Sequence, residues 1–165
     1  MAKCFQALPL LAAALCFLSL AGFVHCDEQF FVQGKVYCDT CRTQFETKLS
    51  EPISGAKVRL ECRSRENDDV AYSVEGETDT TGIYKLPVEG SHEEDICEVK
   101  LLSSPRKDCS EPAPGLDHAR VLLSSNNGIS SASRFANSLG FMVLKPIEGC
   151  SDVLKELGLL PGMKI

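Results

Sequence analysis

Ala56-Lys57-Val58-Arg59-Leu60-Glu61-Cys62-Arg63 is the stretch that decides the fold class. In an extended chain Ala56, Val58, Leu60 and Cys62 point one way, and Lys57, Arg59, Glu61 and Arg63 the other. Such alternation belongs to a half-buried strand of an antiparallel sheet, with one face on the core and one in water. A period of two, not three and a half, then runs outward in both directions. Towards the N-terminus, Phe30, Val32, Gly34, Val36 and Cys38 share one face, and Phe31, Gln33, Lys35 and Tyr37 the other. Towards the C-terminus, further strands are expected around Ala71 to Thr78, Tyr84 to Val88, Ile96 to Leu102, Arg120 to Ser124 and Phe141 to Leu144.

The connections fit that reading. Ser64 to Asp69 is polar and predicts an exposed hairpin tip, and Asp79-Thr80-Thr81-Gly82 has the residues of a tight turn. Ser103 to Asp117 holds Pro105, Pro112, Pro114, Gly115 and Cys109, which predicts a long loop pinned by a disulfide. Asn126 to Ser133 reads as another loop. After Cys150, Ser151 can cap a short helix in which Val153, Leu154 and Leu157 share a side, with Gly158 and Pro161 ending it. About seven short strands and one helix make an all-β domain, a sandwich or a partly closed barrel.

The N-terminus sets the compartment. Lys3 precedes an almost wholly apolar stretch from Ala7 to Val24, and Ala21, Gly22, Val24 and Cys26 are small. This is the layout of a secretory signal peptide over residues 1–26, with Asp27 as the expected mature N-terminus. The apolar run is about long enough for a signal anchor, but no Lys or Arg follows it until Lys35, which favours cleavage. No second long apolar run exists, so no membrane span is expected in the mature domain, residues 27–165. The leader holds one of the 17 basic residues and none of the 23 acidic ones, leaving a net charge of −7. That sign disfavours nucleic acid and anionic lipid as partners.

Cys4, Cys16 and Cys26 leave with the leader, and Cys38, Cys41, Cys62, Cys97, Cys109 and Cys150 remain. Six cysteines in a short secreted chain read as three disulfides, which fifteen connectivities could satisfy. The Cys38-Asp39-Thr40-Cys41 pair follows a strand, whereas a reactive pair wants its first thiol at a helix N-terminus. A single such pair, with only His92 and His118 left in the mature chain, gives no zinc pattern and no triad candidate. Neither a catalytic residue nor a cofactor is expected. Glu93, Glu94 and Asp95 read as a solvated loop, the alternative being a contact for calcium or a cationic partner, and Tyr37, Tyr72 and Tyr84 as core or cross-strand neighbours. No Asn-x-Ser/Thr sequon occurs, so no N-glycan is expected.

Two signatures carry a resemblance. Gln33-Gly34-Lys35-Val36-Tyr37-Cys38-Asp39-Thr40-Cys41-Arg42 is similar to the hallmark of the olive major pollen allergen-like family of plant extracellular proteins. The likeness continues through Gly55-Ala56-Lys57-Val58, Leu60-Glu61-Cys62-Arg63, Glu94-Asp95-Ile96-Cys97-Glu98, Ser124 with Asn126-Asn127-Gly128, Ala136-Asn137-Ser138-Leu139-Gly140-Phe141 and Cys150. Within it, Gly34-x-Val36, Pro52-x-Ser54-Gly55-Ala56-x-Val58 and Thr78-Asp79-x-x-Gly82-x-Tyr84 resemble transthyretin-like β-sandwiches, where Asp79 and Gly82 would build a hairpin turn.

The family pattern implies the pairs Cys38–Cys109, Cys41–Cys150 and Cys62–Cys97. It also implies a secreted, non-enzymatic protein of the extracellular space or cell wall, acting in pollen hydration or pollen-tube growth and potentially allergenic. Its expected partner is a protein, such as an extracellular receptor kinase domain, or a cell-wall component. Many members carry an N-glycan, and this chain departs from them. The alternatives are a carrier of a small apolar ligand, which needs a cavity, and a hydrolase or hydrolase inhibitor. An enzyme would need His92 or His118 to converge with carboxylates and a hydroxyl.

Overall fold

The computed structural model describes residues 30–124, 128 and 131–159. The signal peptide expected over 1–26, the Asn126-Asn127 turn and Pro161 lie outside the described residues. Among the described residues ten strands and one helix follow in order: β1 (Phe30–Asp39), β2 (Glu51–Pro52), β3 (Lys57–Ser64), β4 (Val70–Glu77) and β5 (Ile83–Val88). Then come β6 (Asp95–Ser103), β7 (Cys109–Pro112), β8 (His118–Val121), β9 (Ser133–Phe135), β10 (Leu139–Val143) and the helix α1 (Cys150–Glu156).

They form two open sheets, a sandwich and not a closed barrel. The four-stranded sheet runs β4-β3-β6-β8, antiparallel throughout. The six-stranded sheet is built on β1, whose ten residues serve two sets of neighbours. Its first half pairs with β5 on one side and β9 on the other, and its second half with β2 and β10, with β7 beyond β10. β9 and β10 run parallel to β1, so the sheet is mixed.

Between the sheets the apolar faces meet as the alternation requires. Val32, Val36, Val58, Leu60, Tyr84, Leu86, Val99, Leu139 and Phe141 are all buried there. Gly55, at φ 73°, makes the left-handed bend that starts β3. Thr78 fastens the same corner: its hydroxyl donates to the Ile53 carbonyl at 2.5 Å and accepts the Ala56 N–H at 2.9 Å.

Several expectations are corrected. β2, β7 and β9 make ten strands where about seven were expected, and β7 lies inside the stretch read as a loop from Ser103 to Asp117. The last two anticipated strands begin about two residues early, at His118 and Leu139. The Asp79–Gly82 turn is tight, but it is not a hairpin: β4 and β5 lie in different sheets, so the turn crosses the sandwich. Its Asp79 carboxylate accepts the N–H groups of Thr81 (2.8 Å) and Ile83 (3.0 Å). The Thr81 hydroxyl, with those two N–H groups, holds the carboxyl below its usual range. Gly149, left-handed at φ 88°, precedes α1 in the place foreseen for Ser151, and of Val153, Leu154 and Leu157 only Val153 is buried.

Candidate interaction surfaces

Three disulfides join Cys38 to Cys109, Cys41 to Cys150 and Cys62 to Cys97. Cys62 and Cys97 face each other across β3 and β6 in direct register. The two thiols of Cys38-Asp39-Thr40-Cys41 therefore go to different partners, which gives the motif a structural part. Asp39, fully buried, organises the corner: its carboxylate accepts the N–H groups of Cys41 at 3.1 Å and Gln44 at 2.7 Å and the Thr43 hydroxyl at 3.3 Å. Arg42 and Gln44 adopt left-handed φ values of 56° and 61°, and these bonds offset the strain. Arg42 donates to both Glu111 oxygens (2.6 and 3.1 Å) and to the Val143 carbonyl, binding the corner to β7 and β10. A short polar run gave no sign of this part for Asp39.

His92 and His118 both meet carboxylates. His92 Nδ1 lies 2.9 Å from Asp95 Oδ2 and Nε2 2.9 Å from the Glu89 carbonyl, with the ring 4.7 Å from that of Tyr72. Asp95 is thus not the solvated residue the acidic run suggested. With both nitrogens engaged and the ring buried, this pair closes the β5–β6 connection. His118 Nδ1 lies 3.0 Å from Asp117 Oδ1 on the surface. Neither ring is hydrogen-bonded to a hydroxyl among the described residues. Beside His118 a shallow depression of about 300 Å³ is lined by Glu98, Lys100, Leu101, Asp117 and His118. That lining is charged, unlike the apolar chamber a carrier would need.

The outer face of the four-stranded sheet neutralises its own charges. Arg59 pairs with Glu75 (2.6 Å), Lys57 with Glu77 (3.8 Å) and Arg120 with Glu98 (3.0 Å). Glu61 accepts from Lys100 at 2.8 Å and Arg63 at 2.7 Å, and these cations hold its carboxyl below the usual range. Every pair in this ladder spans neighbouring strands or the same strand, as the alternation of Lys57 to Arg63 requires.

The outer face of the six-stranded sheet is divided. Over its C-terminal half, Tyr37, Asp39 and all of β10 are buried, and Leu116 of the 113–116 turn lies over Gly140 beside the Tyr37 ring. The Ala113 N–H donates to the Gly140 carbonyl and the Gly140 N–H to the Leu116 carbonyl, each at 2.9 Å. Burial, with Asp39 and Glu46 nearby, pushes the Tyr37 phenol up to about 12. The N-terminal half is open. There Phe31, Gln33 and Lys35 of β1 are flanked by Pro87, Lys85 and Ile83 of β5 and by Ser133 and Phe135 of β9. Phe135 is 72% exposed.

Two open sheets locked by three bridges define a small disulfide-stabilised β-sandwich protein. The chain belongs to the Ole e 1-like pollen protein family, whose model, "Pollen protein Ole e 1 like", matches residues 28–158. It is 55% identical over 152 residues to the anther-specific protein LAT52 of Solanum lycopersicum, covering 92% of this chain and 94% of that one. It is 56% identical over 153 residues to the Olee1-like protein of Betula pendula, covering 91% and 92% respectively. The crystal structure of the major plantain pollen allergen Pla l 1 superposes with a TM-score of 0.66 at 41% identity, over 74% of this chain and 99% of that one.

Proposed function

We propose that this protein is exported through cleavage of residues 1–26 and acts, without catalysis of its own, as an extracellular binding partner in pollen hydration or pollen-tube growth. Its counterpart is the extracellular domain of a receptor kinase or another component of the cell wall. The observation that carries this reading is the combination of a bridge-locked scaffold with an open, partly apolar sheet face. A rigid scaffold binds with little loss of conformational freedom, so a few exposed side chains suffice for specificity. Relatives described as anther-specific and as pollen allergens support the tissue. Buried side chains such as Val36, Leu60, Tyr84 and Phe141 occupy the space between the sheets, which favours surface recognition over carriage of an apolar molecule.

The test is to express the full chain through a plant secretory pathway, then collect and label it. The expected product begins at Asp27, contains no free thiol and binds saturably to pollen-tube or pistil surfaces. Retention inside the cell, free thiols, or an absence of saturable binding would each count against the proposal.

A further inference from the structure

Phe31, Ile83, Lys85, Pro87 and Phe135 form a patch unlike the rest of the sheet surfaces. Paired residues on neighbouring strands point to the same side. Phe31 lies opposite Pro87 and Ser133, Gln33 opposite Lys85 and Phe135, and Lys35 opposite Ile83. Phe30 and Val32 face the core, so Phe31, Gln33 and Lys35 face out. Arg134 is buried, with its guanidinium 4.4 Å from the Phe30 ring centroid, which sends its neighbour Phe135 outward.

The charge of this patch is one-sided. Lys35 is paired with Glu46. The Lys85 ammonium lies 4.2 Å from the Phe31 ring centroid and has no carboxylate partner among the described residues. On the opposite sheet Arg59, Lys57, Arg63, Lys100 and Arg120 all have carboxylates. A cation held over an aromatic ring, beside an exposed phenyl group, suits an anion attached to something apolar. Among the described residues β9 pairs with β1 alone, so its other edge has no described strand beside it.

We infer that this half-face docks an acidic protein segment carrying apolar side chains, with its carboxylate at Lys85 and an apolar residue against Phe135 and Phe31. A protein segment is favoured over an acidic polysaccharide because Ile83 and Pro87 offer aliphatic contact and the β9 edge offers backbone groups to a neighbouring strand. The inference rests on the proposed role as a binding partner and names the surface and its complement.

Labelled secreted wild type, Lys85→Glu, Phe135→Ser and the opposite-face control Lys57→Glu are applied to pollen tubes and pistil tissue. All three positions are exposed strand residues, and melting temperatures verify folding. Lys85→Glu and Phe135→Ser are each expected to weaken binding about tenfold, with Lys57→Glu unchanged. A photo-crosslinker at position 135 is expected to capture a peptide rich in Asp and Glu, and protease treatment of the tissue to abolish binding. Saturable wild-type binding that both variants retain overturns this surface while leaving the proposed function standing. Failure of wild type to bind removes that function itself. Capture of a basic peptide, or binding that resists protease but is lost on digestion of acidic polysaccharide, overturns the acidic protein segment.

Discussion

Gly34 and Tyr84 show how little room single residues have in this core. A Cβ on Gly34 would stand 2.5 Å from Cζ of Tyr84 and closer still to its hydroxyl, and that ring is fully buried with nowhere to turn. Gly34→Ala should therefore cost about 3 kcal/mol, read as a fall in the denaturant midpoint. The Tyr84 hydroxyl has no hydrogen-bond partner among the described residues, so Tyr84→Phe should leave stability level or raise it. In the double variant, Tyr84→Phe should recover only part of the loss, because the ring carbon remains in the way. Full recovery, or none, would contradict the packing described. Their contact does not show in the sequence: Gly34 reads as one position on a face of β1 and within the family signature, and Tyr84 as a core or cross-strand neighbour.

Among the elements, those with at least six residues of alternation were legible before any coordinates. β1, β3, β4, β5 and β6 lie within a residue or two of where Phe30, Ala56, Ala71, Tyr84 and Ile96 suggested. β2, β7 and β9 have two to four residues, too few to display a period, and their pairing is imposed by what lies beside them. For the same reason the divided face of the six-stranded sheet was hidden. It depends on β9 meeting β1 across a hundred residues, a placement no local pattern encodes. The seven-residue α1 is too short to persist alone and is held by Cys41–Cys150, whose partners are 109 residues apart. Replacing both cysteines with Ser should lower global stability by about 2–5 kcal/mol. Amide exchange should then accelerate in residues 150–156 far more than in β3. Equal loss of protection in both would mean that the helix is held by other contacts.

For the whole molecule, titration limits stability on both sides of neutrality. Glu61, Asp79, Asp108 and Glu111 have carboxyls lowered in the fold, so the unfolded chain takes up protons first as the pH falls. Their contribution is present above the ordinary carboxylate range, near pH 4, and is lost as pH drops through the lowered values. Tyr37 and Tyr84 are raised, so their contribution is present below about pH 10 and drains away as pH climbs towards the folded-state values. Thermal melts should give a plateau that falls at both extremes, and Glu61→Gln should soften the acid limb; a variant curve parallel to wild type would remove Glu61 from that account. The interlocking of Cys38–Cys109 with Cys41–Cys150 reaches further, because each loop encloses one end of the other. Wherever an enzyme in the surrounding medium severs the backbone once between Cys38 and Cys150, the two fragments stay covalently attached, so clipped material keeps its mass on a non-reducing gel and comes apart only when thiol is added.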